Sequence, residues 1–304
     1  MTLNISYTSE DFPAALGIAS GTLTTSWDEL LWAALTIGRP STYHVFRHGP
    51  SSFHEAIFRL SLVRLAVEQT KGGYLVRTPA FKALDPTEKG MVSYFLGMTL
   101  CKLFAWKLLN TPWLLHLDVY PKSLKLALGG RSRPDLFGQD LAGEWHAFES
   151  KGRSAAPTEV EKKAAKDQAK RLHHIGTSPC QLHIGSFAYF QNDELRFLWI
   201  DPPADGRMAN ALPEPKDEWR FHYEPSLSLA APLVDGSMAA ERELAAIEIG
   251  IHPAISKLLN AGSWAAAQAL AKQRAAEFVK QGYQPDGIKV SAGDGWAKPL
   301  QERT

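Results

Sequence analysis

Cysteine is scarce in this chain. Its two residues, Cys101 and Cys180, lie far apart in the sequence. No Cys/His cluster has the spacing of a zinc site. Cys101 falls in an apolar helical pattern and Cys180 at a strand start, so both read as core or edge residues. An excess of charge of one sign is also lacking: 33 Lys and Arg against 32 Asp and Glu leave a formal charge of +1. Bulk charge therefore does not mark a polyanion binder, and any basic surface must be local. No apolar run reaches the length of a membrane span. The polar opening from Met1 to Tyr7 lacks the apolar segment of a secretory leader. These absences lead to the expectation of a cytoplasmic protein without a membrane partner.

What remains is ordinary for a soluble globular protein, with 45% hydrophobic and 21% charged residues. At 304 residues the chain suffices for one large domain or for two to three small ones. Residues 1–84 read as mainly helical. Ser26-Trp27-Asp28-Glu29 has the capping-box pattern and opens a helix through Leu35, ending at Gly38. Ser52-Phe53-His54-Glu55 repeats the device and opens a second helix towards Gln69, ended by Gly72-Gly73. Tyr74 to Arg77 then reads as a short strand. Helices followed by a small strand pair with Arg59, Arg64, Lys71, Arg77 and Lys82 fit either a winged-helix unit or a solvated face.

Residues 85–202 carry the clearest signals. Asp85-Pro86-Thr87-Glu88 places Asp at the N-cap, Pro at N1 and Glu at N3. The helix it opens runs to about Asn110 and is apolar on most faces, so it is expected to be buried on more than one side. Trp113 to Tyr120 reads as a strand with polar His116 and Asp118. A strand near Asp135, a strand at Glu149, a helix from about Thr158 to His174, and strands at 181–190 and 194–200 follow. Residues 203–304 read as a loop-rich connector and a helical C-terminal region. Trp219 to Tyr223 suits a packed strand or a base-stacking segment. Helices are expected at about 238–249 and 263–280, and Pro285-Asp286 as a turn.

The chain is organised around Arg133-Pro134-Asp135-Leu136-Phe137 and Glu149-Ser150-Lys151. Side chains alternate along a strand. Glu149 and Lys151 therefore share a face, and Ser150 points away. If the strand at Asp135 pairs alongside, one carboxylate from each strand meets the lysine in a single pocket. Two carboxylates with open coordination suit Mg²⁺, which keeps waters and accepts substrate phosphate oxygens.

Pro134-Asp135 with Glu149-Ser150-Lys151 resembles the signature of the PD-(D/E)XK, or restriction-endonuclease-like, nuclease superfamily. The resemblance implies an α/β core, a central mixed sheet flanked by helices, with helical additions at both termini. It implies Asp135 and Glu149 as ligands of Mg²⁺, with Mn²⁺ as substitute, and Ser150 as a backbone ligand. It also implies Lys151 as the catalytic lysine. Several such nucleases place a Gln on the following helix, and Gln168 has that offset. The order helix, three strands, helix, strand matches the implied core. One departure stands out: there is no Asp or Glu between Met91 and Asn110, where many members carry a helix acid. Glu88, Glu55 and Asp118 are the substitutes within reach.

Further candidates concern binding. Lys162, Lys166 and Lys170 recur every four residues and form a stripe suited to a nucleic-acid backbone. A solvated face with Glu159–Lys163 and Asp167–Arg171 pairs is the other reading, and the simpler one for most of these side chains. Arg133 and Arg153 bracket the motif strands as phosphate contacts. His173-His174 fits a helix C-terminus. The expected function is a metal-dependent nuclease, acting on DNA rather than RNA, in a role such as restriction or phage defence. The partner is nucleic acid, and the protein could act as a homo-oligomer or within a larger defence or transposition assembly. The alternative is a non-catalytic nucleic-acid-binding or assembly subunit with the same fold.

Overall fold

A computed structural model describes residues 2–37, 50–120, 132–202, 210–230, 247–293 and 296. It is an α/β protein with a large mixed central sheet packed against helices. The chain opens with two strands that sequence patterning does not reveal, β1 (Thr2–Glu10) and β2 (Gly21–Ser26). Both are rich in Thr and Ser, and only Leu3, Ile5, Leu23 and Thr25 are buried, so no apolar run announces them. Helix α1 (Trp27–Thr36) begins where expected, with the Ser26 hydroxyl accepting from the Glu29 N–H at 3.2 Å. It stops at Thr36, and Gly38 lies outside the described residues.

Helix α2 (Pro50–Ala66) starts two residues before the expected Ser52 cap, and the side chains of that turn lie outside the described residues. A short hairpin, β3 (Val67–Gln69) and β4 (Leu75–Arg77), and helix α3 (Pro79–Ala83) complete the first segment. Through β4 the hairpin joins the main sheet. The 1–84 segment thus supplies four strands beside its helices.

Helix α4 (Pro86–Leu109) is the central one. Asp85 accepts from the Thr87 and Glu88 N–H groups, Glu88 returns a bond to the Asp85 N–H, and Asn110 ends the helix in a left-handed conformation. By length and composition α4 would suffice to cross a membrane, which corrects the expectation that no segment reaches that length. Its apolar stretch is 72% buried within the fold, as expected of a core helix that is apolar on most faces.

Strand β5 (Trp113–His116) is shorter than expected. The His116 ring accepts from the Asp118 N–H at 3.0 Å and turns Leu117–Val119 into a 3₁₀ helix. Strands β6 (Leu136–Gln139) and β7 (Trp145–Gly152) form the motif hairpin. Helix α5 (Glu159–Ala169) opens on a full capping box of Thr158 and Glu161. It ends before His173-His174, correcting their placement at its C-terminus, because His174 begins strand β8 (His174–Ile175). Strands β9 (Ser178–Gln191) and β10 (Glu194–Ile200) follow as expected.

In the last segment, β11 (Ala211–Leu212) pairs with β8. Trp219 to Tyr223 is not a strand: it is a 3₁₀ turn running into helix α6 (Arg220–Ala230), with Trp219, Phe221 and Tyr223 buried. That burial removes it as a base-stacking segment. Of the helix expected at 238–249, residues 238–246 lie outside the described residues, and 247–249 begin strand β12 (Ile247–Ile251). Helices α7 (Pro253–Asn260) and α8 (Trp264–Lys280) lead to β13 (Ile288–Ala292), which pairs with β12.

The main sheet runs β2-β1-β10-β9-β7-β6-β5. The β5-β6-β7 meander is antiparallel, and α5 is the crossover that returns the chain as β9, parallel to β7. Two cores lie on the two faces. The larger, on the α4 side, extends from Leu3 to Trp296. The smaller, under α5, comprises Ala165, Phe187, Tyr189, Leu198 and Ile200. The C-terminal segment locks onto α4 through a buried polar chain. Lys102 Nζ donates to the Pro112 carbonyl at 2.8 Å and lies 3.3 Å from His222 Nδ1, and His222 Nε2 lies 2.8 Å from Asp286 Oδ2. Asp286 also accepts from the Trp32 indole, so the second Pro-Asp pair belongs to the core.

Candidate functional site

The hairpin register builds the site. Leu136 pairs with Phe148. Carried one residue further, that antiparallel register sets Asp135 opposite Glu149, about 5 Å apart at Cβ for a direct cross-strand pair. The Ser150 N–H donates to Asp135 Oδ2 at 3.0 Å and fixes that carboxylate. The Leu117 N–H donates to the Asp135 carbonyl at 2.8 Å, which brings Asp118 to the same end of the sheet. Glu149 and Lys151 share a face as alternation requires, and they form an ion pair. Glu149 is 1% exposed and Lys151 30%, so the lysine reaches from the carboxylate towards solvent.

Electrostatics follow from this placement. Burial pushes the Glu149 carboxyl up to about 8; the facing charge of Asp135 adds to the rise, and Lys151 opposes it. Asp135 is also raised, by burial first, against the pull of Lys151 and the Ser150 N–H, while Asp118 adds repulsion. Both Glu149 oxygens are buried, and Lys151 and the Asp135 N–H are the donors that face the carboxylate. A buried carboxylate facing a second carboxylate is costly to ionise. A bound cation removes that cost, so the donor set fits a metal. Among the described residues no group of three or more His, Cys, Asp and Glu side chains could hold one. The site is therefore a two-carboxylate one, which suits Mg²⁺ completed by a main-chain carbonyl such as that of Ser150, waters and substrate oxygens.

Two glycines set the fit of α4 onto β7. A Cβ on Gly152 would lie 1.6 Å from the Ser93 carbonyl oxygen and 2.8 Å from the Tyr94 nitrogen. A Cβ on Gly97 would lie 2.7 Å from the Gly152 nitrogen. Backbone meets backbone directly beside Lys151. Gly152→Ala is accordingly expected to push α4 off β7, lowering stability by about 1–3 kcal/mol or more and displacing Lys151. Chemical denaturation checks the first effect. On the opposite face Gly185, paired with Glu149, lets Ala165 of α5 approach within 3.2 Å of an added Cβ.

The remaining candidates divide. Gln168 is half-buried on the flank of α5 that carries Glu161, three to four residues from the sheet-facing Ala165. Glu161 pairs with Arg153, just after β7, at 2.9 Å, so this flank faces the motif strand. Arg133 binds Asp118 at 2.5 Å. Lys162 binds Glu10 at 3.1 Å and Glu159 at 3.0 Å, and Lys166 binds Asp11 at 2.7 Å. The stripe is thus anchored to the end of β1, with partners that sequence spacing did not suggest. Lys170 lies near Asp201 and lowers its carboxyl against the upward push of burial. Of the proposed helix-acid substitutes, Glu88 is exposed and engaged in its capping box, and the Glu55 side chain lies outside the described residues. Of the described candidates, Asp118 comes near Asp135.

Tyr94 was not legible as a site residue. It stands on α4 among the charges of Asp135, Asp118 and Glu149, and its phenol is pushed up to about 12, by burial first and then by Asp135. The absence of an acid between Met91 and Asn110 gives no sign of it, because an aromatic residue there looks like part of the apolar pattern. No family model, no curated protein and no solved structure matches the chain.

Proposed function

We propose that the protein is a metal-dependent nuclease with a restriction-endonuclease-like core formed by α4, β5, β6, β7, α5 and β9. The observation that carries this reading is the convergence of Asp135 and Glu149 from adjacent strands, with Lys151 on the face of Glu149 and at the edge of solvent. A binding module has no need of two facing buried carboxylates, which repel each other and destabilise the fold.

Asp135, Glu149 and the Ser150 carbonyl would hold Mg²⁺. When bound, it supplies Lewis-acid polarisation of a phosphate oxygen and a more acidic water. The chain's own residues do the rest. The Ser150 N–H holds Asp135 in orientation. Lys151, partly exposed beside its carboxylate partner, orients the attacking water and offsets the negative charge that grows on the phosphate as the water oxygen bonds to phosphorus and the ester oxygen departs. Gln168 and Arg153 border the path of the strand, and DNA is the favoured substrate. Incubating purified protein with plasmid and single-stranded substrates, with Mg²⁺, with Mn²⁺ and with chelator, tests the reading. Metal-dependent cleavage is expected, and no cleavage under any divalent metal refutes it.

The lysine stripe has its own test. Glutamate at 162, 166 and 170 should flatten the dependence of log affinity on log salt by about 0.9 for each phosphate no longer neutralised. An unchanged slope assigns Lys162 and Lys166 to their ion pairs with Glu10, Glu159 and Asp11.

A further inference from the structure

Seven large hydrophobic side chains are more than a third exposed among the described residues. Scattered singles of this kind are normal on a protein surface. Three of the seven, however, come from two packed helices: Phe58 of α2 at 46%, and Met91 and Tyr94 of α4 at 43% and 36%. The rings are held together. Phe95 meets Phe58 edge-on at 6.5 Å and Tyr94 edge-on at 5.5 Å, so the two exposed rings are at most about 12 Å apart. The Arg59 guanidinium, itself 6% exposed, lies 5.2 Å from the centre of the Phe95 ring and adds a fixed positive charge behind the cluster.

The position of this cluster points to its ligand. The backbone of Ser93 and Tyr94 rests on Gly152, next to Lys151, with the close approach that two glycines permit. Tyr94 also stands among the charges of Asp135, Asp118 and Glu149, which brings the aromatic surface to the carboxylate end of the site. We propose that Phe58, Tyr94 and Phe95 form a stacking platform for an unpaired nucleobase beside the scissile phosphate, so that the substrate is single-stranded nucleic acid or an unpaired segment of a duplex. This rests on the nuclease reading of the site and narrows it. Rings accept a base face only when that face is not already stacked in a duplex, and aromatic stacking serves every base alike.

Binding separates this inference from the chemistry. Fluorescence anisotropy in Ca²⁺ is measured with labelled oligothymidylate, with oligouridylate, and with the oligothymidylate paired to its complement. The same protein is assayed for cleavage in Mg²⁺. The single strand is expected to bind more tightly than the duplex, and the two oligomers tell DNA from RNA. Phe58→Leu and Tyr94→Leu keep apolar bulk but lose the ring; each should weaken single-strand binding about tenfold and leave duplex binding unchanged. Phe58→Tyr and Tyr94→Phe should restore it. If a Leu variant does not fold, photocrosslinking of bromouracil-substituted oligonucleotide to the wild type should map to Phe58 or Tyr94. Equal affinity for both forms, undiminished binding by folded Leu variants, or crosslinks confined elsewhere would overturn the platform even if cleavage occurs. Ring-dependent binding without cleavage would keep the platform and remove the nuclease reading.

Discussion

Alanine at Asp135 or at Glu149 is expected to remove Mg²⁺-dependent cleavage, by on the order of 10²–10³-fold or more, and to leave the fold intact. Each change deletes one of the two carboxylates that face each other across the motif hairpin. Either mutant cutting at the wild-type rate would sink the assignment. The same carboxylates give the effect a second signature, in stability. Glu149 carries its proton up to about pH 8 in the folded protein but titrates near 4.5 when exposed. At pH below 4.5 both states are protonated and the site costs nothing. Between 4.5 and 8 the unfolded chain releases its proton while the folded one retains it, so this contribution to stability falls as pH rises and is lost above 8. The loss amounts to a few kcal/mol at most. Asp135 shifts in the same direction. In the absence of divalent metal, Glu149→Gln should therefore denature at higher urea than the wild type at pH 8, and the gap should close at pH 4.5. A gap that widens towards acid would contradict the burial of this carboxyl.

Lys151→Ala is expected to cut the single-turnover cleavage rate by on the order of 10²-fold or more, while affinity for nucleic acid in Ca²⁺ changes little. The lysine is partly exposed and paired with Glu149, so it has a charged group to offer where charge develops. An interaction realised in the transition state appears in the chemical step rather than in ground-state binding. A non-catalytic subunit would behave in reverse: no cleavage by the wild type, and an affinity loss in the mutant like that of any basic groove residue. Removing the ammonium also leaves Glu149 without its ion pair. Its carboxyl should then rise further, which moves the stability transition of the Lys151 variant to higher pH.

What the sequence determined by itself is local. Asp85, Thr158 and Ser26 announce their helix starts, because an N-cap side chain bonds a backbone N–H two or three residues away and needs nothing from the rest of the fold. The shared face of Glu149 and Lys151 follows from strand alternation alone. The meeting of Asp135 with Glu149 needed only a hairpin, whose register spans a few residues. Other features rest on partners far along the chain. The polar strands β1 and β2 exist because β1 pairs with β10, nearly two hundred residues away, and no local pattern encodes that partner. Lys162 and Lys166 look like a free stripe until β10 and β9 bring the end of β1 beneath α5. Trp219 to Tyr223 reads as an aromatic strand, yet it is buried as a turn and helix because its rings pack on distant residues, Trp219 on Trp145 and Tyr223 beside Trp113. Tyr94 and Phe58 join the site only through the packing of α2 on α4 and of α4 on Gly152, a meeting of backbones that side-chain periodicity does not register. Short-range hydrogen bonds and alternation are written in neighbouring residues; the field around the carboxylates and the surface beside them arise from long-range pairing, which tertiary structure alone decides.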